Sequence, residues 1–296
     1  MQLGITTPVV NLNPRFEPPD WEVEGGIDDL AAVVEAADGL GYAWAGCPEH
    51  TIIPTEVARV RGGRYWDPVA TLGYLAARTG RIGLLSHVAV LGYHHPLELV
   101  KQYGTLDEAS GGRVILGVGV GSLRPEFELL GATFEGRGAV ADDALRAIRA
   151  AFGQRAPRYE GTHYRFDGVI VDPCGVQEDV RIWVGGRSAR SLRRAVELGD
   201  GWIPFGRTLE ELAPLLAHEA VVARRTAPGR PFDVVLSPEQ PLDPLGDPAG
   251  TRGVVDAYAG IGATGLSLRF TSTSRQHYVD QLAAMRALVG EGPADR

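Results

Sequence analysis

Chemistry-bearing residues gather in a few short stretches of this chain. Glu49 and His50 stand side by side in "GCPEHTIIP", where an imidazole could move protons or hold a hydrogen bond while its neighbour sets its charge. A structural or solvent-facing histidine is the other reading of the same pair. His87, His94 and His95 follow in "SHVAVLGYHHP", so that four histidines raise the question of a metal. Adjacent His94 and His95 project in different directions, and no His-x-His or His-Glu-x-x-His spacing puts two ligands on one face. A metal is therefore not expected.

A second kind of signal lies in the glycines. Gly185-Gly186-Arg187-Ser188 runs from the apolar "IWV" straight into the helical "SLRRAVEL". Unsatisfied backbone N–H groups, a hydroxyl and a guanidinium would then point at one spot suited to phosphate. The alternative is a tight turn followed by a serine cap, and both readings stand. Gly117, Gly119 and Gly121 alternate along "VILGVGVGS", so they share one face of a strand. That face could admit a flat cofactor ring, or could balance large side chains on neighbouring strands. A dinucleotide fingerprint is excluded, because Gly117 and Gly119 are followed by Ser122, and Gly119 and Gly121 by Arg124. An ATPase-type phosphate loop and a Gly-x-Ser-x-Gly nucleophile elbow are also absent from the chain.

These residues need a scaffold, and the hydrophobic period supplies one. Leu3 to Val9, Tyr42 to Gly46, Ile82 to Leu91, Val114 to Val120, Ile182 to Val184, Gly201 to Phe205, Phe232 to Leu236 and Gly265 to Phe270 read as strands. A helical stripe follows each; Asp67-Pro68 and Pro96 mark two of the helix starts. Eight largely apolar strands alternating with eight helices predict an α/β fold, a (β/α)8 TIM barrel, with a doubly wound sheet as the runner-up. The alternating "RYEGTHYRFDG" predicts a hairpin inserted between the fourth helix and the fifth strand, lying over one end of the barrel. No break in composition divides the chain, so a single domain over 1–296 is expected. In such a barrel, loops leaving the C-terminal strand ends build the active site, and the residues above fall on those loops.

Bulk properties narrow the partners. The net charge is −8 and the basic residues are scattered, which gives no electrostatic reason for a nucleic-acid or anionic-membrane partner. A small soluble substrate is expected instead. Two cysteines, Cys47 and Cys174, lie far apart and outside metal or redox spacings. No basic leader precedes the first strand and no apolar run approaches the ~20 residues of a membrane span, so a cytoplasmic location is expected.

Nearly the full chain resembles the bacterial luciferase-like monooxygenase superfamily, in particular its deazaflavin (coenzyme F420) dependent oxidoreductases. The likeness runs through "LGITTP", "EH", "WDPVATLGYLAARTGRIGL", "HPLELVKQYGTLDEASGGRVILGVGVGSLRPEFELLG" and "IWVGGRSARSLRRAVELGDGWIPF". "LDEASGGRVILGVGVG" joined to "VGG-S" and "GDGW" is specific as a set. The resemblance implies a homodimeric barrel that holds a flavin or deazaflavin in its mouth and transfers hydride at the ring. It also implies a non-prolyl cis peptide at His87-Val88 behind the ring, Glu49 and His50 beside it, Gly121 and Ser122 against it or its chain, and Gly185, Gly186, Arg187 and Ser188 on the phosphate. On this reading His50, assisted by Glu49, steers protonation, and F420 is the expected cofactor, with FMN and a luciferase-like monooxygenase reaction as the alternative. Position 87 is commonly small in the family and is histidine here. Its bulk motivates a further class, a cofactor-free barrel acting as a binding protein; a metal-dependent hydrolase using His50, His87, His94 and His95 is another.

Overall fold

Apolar strands too short to bury themselves must close against one another, and in a computed structural model they do so as a barrel. The structure describes residues 1–290; the last positions of the expected 1–296 domain lie outside the described residues. In chain order the elements are β1 (Gln2–Thr6), α1 (Asp20–Glu24), α2 (Ile27–Gly39), β2 (Trp44–Cys47), α3 (Thr55–Arg61), α4 (Pro68–Arg78), β3 (Gly83–Ser86), β4 (Ala89–Val90), α5 (Pro96–Ser110), β5 (Val114–Gly119), α6 (Arg124–Leu129), α7 (Arg137–Ala151), β6 (Tyr159–Glu160), β7 (Arg165–Phe166), β8 (Arg181–Gly185), α8 (Ala189–Leu198), β9 (Gly201–Ile203), α9 (Leu209–Leu216), α10 (Glu219–Thr226), β10 (Asp233–Leu236), α11 (Pro248–Gly260), β11 (Gly265–Leu268) and α12 (Arg275–Val289).

Strands β1, β2, β3, β5, β8, β9, β10 and β11 pair in parallel around the barrel, and the β3–β5 pairing closes it. The fold is a (β/α)8 TIM barrel, as the strand–helix alternation predicts. The third strand differs from expectation: it stops at Ser86, and the short β4 resumes beside β5 after a break at His87 and Val88. The peptide between those two residues is cis.

Alternation of side chains sorts the core into two parts. Residues such as Ala45, Leu84, Leu116, Val118, Ile182, Val184 and Trp202 face outward into the large core beneath the helices. Trp44, Leu85, Trp183, Ile203 and Val235 face inward and fill the barrel. Two indoles fit there because the neighbouring strands carry glycine. A Cβ on Gly4 would lie 2.1 Å from the Trp44 ring, one on Gly265 2.5 Å from it, and one on Gly201 2.7 Å from Trp183. The indoles meet edge to face at 5.0 Å, and Trp183 Nε1 donates to Asp233 while Trp44 Nε1 donates to Ser267. The barrel is thus plugged by packing below its mouth.

The hairpin β6–β7 forms as expected. Asp143 of α7 accepts from the Tyr159 hydroxyl at 2.6 Å and from the N–H groups of His163 and Tyr164. Asp107 of α5 accepts from the N–H groups of Val176 and Gln177 at 2.9 and 3.0 Å. These carboxylates strap the insertion along the outer faces of α5 and α7. At the start of α5, Tyr164 of the insertion meets the His95 ring edge to face at 5.3 Å.

Candidate active site

The floor of the mouth is built from the break in the third strand. Gly46, Gly119 and Gly185 sit at inward-facing positions of β2, β5 and β8, where side chains would otherwise fill the top of the barrel. Two consecutive side chains from the break enter that space instead. A Cβ on Gly119 would lie 2.7 Å from Val88 Cγ2 and one on Gly185 2.9 Å from Val88 Cγ1, while one on Gly46 would lie 3.1 Å from His87 Nδ1. Val88 packs down on the interior plug, and both residues remain partly exposed upward. The alternating glycines therefore make room first for the protein's own atoms: Gly117 for the Ser86 backbone carbonyl, Gly119 for the Val88 side chain, and Gly121, at φ +74°, for Phe127. Of the two sequence readings, packing is the one these contacts satisfy.

The wall above the floor carries the expected His50, but not with the expected partner. Glu49 turns away: its Oε1 lies 2.7 Å from His94 Nε2, and its other oxygen accepts from the Val90 N–H at 2.5 Å. His50 Nδ1 lies 2.7 Å from Oε2 of Glu126, which the sequence reading did not single out. Successive residues of an extended segment face opposite ways, so adjacency in sequence separated the pair in space. Glu126 lies on the six-residue helix α6, is fully buried, and also accepts from the Thr51 and Ile52 N–H groups at 2.8 and 3.2 Å. Burial pushes its carboxyl up, but the His50 hydrogen bond and charge, with the Ile52 N–H, outweigh that and hold it below the ordinary carboxylate range. A carboxylate can only accept, so Nδ1 carries the proton and Nε2 is left to exchange protons with a ligand. Tyr65 braces the imidazole edge to face at 4.6 Å. The Tyr93 hydroxyl is buried near the same carboxylate without a hydrogen bond of its own.

His87 is the third imidazole of the mouth. Burial presses its pKa down to about 4, so the ring is neutral near pH 7. His95 faces elsewhere and caps α5 by accepting from the Leu97 N–H. Among the described residues no cluster of three His, Cys, Asp or Glu side chains is placed to hold a metal.

Beyond the floor, β8 leads into α8. The Ser188 hydroxyl accepts from the Ser191 N–H, and the Ser191 hydroxyl accepts from the Ser188 N–H, each at 3.2 Å. The serine is thus engaged as a cap, one of the two readings for this stretch. Capping does not close the site: Arg187, Ser188, Ala189 and Arg190 are all exposed, and the first-turn N–H groups of Ala189 and Arg190 have no acceptor one turn back. The Arg207 guanidinium reaches the Arg187 carbonyl and adds positive charge there. On the β5 side, Arg137 donates to the Gly121 carbonyl at 3.0 Å and Arg61 of α3 reaches the Ser122 hydroxyl at 3.4 Å. The mouth therefore offers a small apolar floor with one neutral imidazole, a His50–Glu126 wall, and a cationic helix start four residues beyond Gly185.

Comparison with known proteins gives the family and the fold. The profile of the luciferase-like monooxygenase family matches residues 1–239. The chain belongs to that family. An uncharacterized protein of Mycobacterium tuberculosis is 30% identical over 228 residues, covering 73% of this chain and 81% of its own. Among solved structures, the monooxygenase RslO1 from Streptomyces bottropensis superposes with a TM-score of 0.76 at 22% identity, covering 98% of each chain. The coenzyme F420 dependent tetrahydromethanopterin reductase from Methanopyrus kandleri gives 0.70 at 14% identity, covering 96% of this chain and 97% of that one. At these identities the structural likeness concerns the fold. For the luciferase-like family it places oxidoreductases and monooxygenases on the same barrel. No helix among the described residues is long and apolar enough to cross a membrane.

Proposed function

We propose that this barrel is an F420-dependent oxidoreductase that moves a hydride between the deazaflavin ring and a small organic substrate, acting as a cytoplasmic homodimer. The observation that carries the reading is the continuity of the Val88–His87 floor with the exposed start of α8, a flat surface joined to a cationic anchor. A planar ring with an anionic tail fits that pairing. When bound, the coenzyme supplies the hydride donor or acceptor. Val88 and His87 support the ring from below, and Gly121 and Ser122 line the path beside it. Gly185, Gly186, Arg187 and the α8 amides hold the tail. His50 gives or takes a proton through Nε2, and Glu126 fixes its tautomer and orientation. Glu49 acts one layer behind, fixing β4 and His94. An F420-dependent reductase on the same fold supports the choice of coenzyme.

Titration of the purified protein with F420 and, separately, with FMN, followed by ligand fluorescence, tests the reading. Quenching by F420, with F420H2 oxidation by members of a panel of enones and quinones, is the expected result. Quenching by FMN alone shifts the assignment to a flavin-dependent monooxygenase. Binding of neither overturns it.

A further inference from the structure

The floor of the mouth contains a polar group to which the preceding reading gives no partner. The His87 ring lies inward of Gly46, next in the chain to Val88, which packs on the inner cluster containing Trp44. The other imidazoles and the serine named above have partners: His50 in Glu126, His94 in Glu49, and Ser188 in Ser191. Among the described residues, neither ring nitrogen of His87 has a hydrogen-bond partner in the chain, although its backbone N–H donates to the Cys47 carbonyl at 2.7 Å. A neutral imidazole carries one N–H donor and one acceptor nitrogen. Set in an otherwise apolar floor, such a group favours a ligand that brings a matching acceptor or donor and disfavours one that leaves it bare.

We propose that the His87 side chain selects the ligand by hydrogen bonding to a carbonyl oxygen or ring N–H of a planar heterocycle resting on Val88. This rests on the reading of the mouth as a coenzyme site and adds a specificity-determining side chain to it. The bulk of His87 is then no obstacle, because Gly46 takes it up.

The test compares wild type with His87→Phe, His87→Asn and His87→Gln in fluorescence titrations with F420 and FMN, with circular dichroism confirming each fold. Phe keeps a flat ring without the nitrogens, so affinity should fall about tenfold for the ligand that wild type prefers, while Asn or Gln should stay within about threefold. Should the Phe variant not fold, His87→Ala takes its place with the same expectation. Phe or Ala binding as tightly as wild type, or both amides binding as weakly as the apolar variant, overturns the inference and leaves the coenzyme reading intact. Wild type binding neither ligand overturns that reading, and the inference with it.

Discussion

Nδ1 of His50 lies 2.7 Å from Oε2 of Glu126, across 76 residues of chain. The carboxylate is fully buried and saturated by two backbone N–H groups besides the imidazole. Glu126→Gln keeps the shape but replaces an obligatory acceptor with a group that can donate toward Nδ1. Turnover should fall about 100-fold, with F420 affinity nearly unchanged because the floor and α8 are untouched. Steady-state rates beside a fluorescence titration check this, and an unchanged kcat would remove Glu126 from the mechanism.

The seating of Val88 gives a second expectation. In Gly119→Ala the new methyl would lie 2.7 Å from Val88 Cγ2, so Val88 must rise into the mouth. A stability loss of about 1–3 kcal/mol should accompany a marked fall in ligand affinity. Gly265→Ala crowds Trp44 at 2.5 Å, below the floor, and should destabilise similarly while binding survives. Thermal melts and titrations of the two variants separate floor from plug.

At the start of α8 the cap and the anchor are separable. Ser188→Ala removes the acceptor of the Ser191 N–H and should cost about 1 kcal/mol of stability. Arg187→Ala removes an exposed guanidinium, so Tm should hold while affinity for an anionic ligand drops and loses part of its salt dependence. Equal affinity of the Arg187 variant at low and high salt, matching wild type at both, would rule the anchor out.

His94 sets a pH dependence. Burial alone would lower its imidazole, but the hydrogen bond and charge of Glu49, with Glu98 and Asp67 nearby, raise it above the ordinary value of 6.5. A raised value in the folded chain means that protonation favours folding; the contribution is complete below about pH 6.5 and fades as pH rises through the folded value. His94→Asn should therefore melt several degrees below wild type at about pH 6, and the gap should narrow toward about pH 9. A gap of constant size across that range would assign His94 a packing role alone.

Much of this architecture was legible from hydrophobic period. All eight barrel strands, the Asp67 and Pro96 helix starts and the β6–β7 hairpin follow from patterns contained in a few residues. What escaped has physical reasons. Helix α3 buries no side chain, so 55–61 shows no apolar stripe. Glu126 stands in the short "RPEFEL", and its partnership with His50 depends on two loops meeting, which no local spacing encodes. The Glu49–His50 pairing failed on the alternation of an extended chain. The fastening of the insertion also went unread, because Asp143 and Asp107 are helix carboxylates whose targets lie in the insertion itself.

The plug of crossed indoles has an optical consequence. Trp44 and Trp183, 5.0 Å apart and buried in the inner cluster on which Val88 packs, are excited donors held close beneath anything resting on that residue. Near-ultraviolet emission from this pair should be drained by any visible-absorbing chromophore that settles there, so the chain carries a built-in occupancy gauge that needs no label.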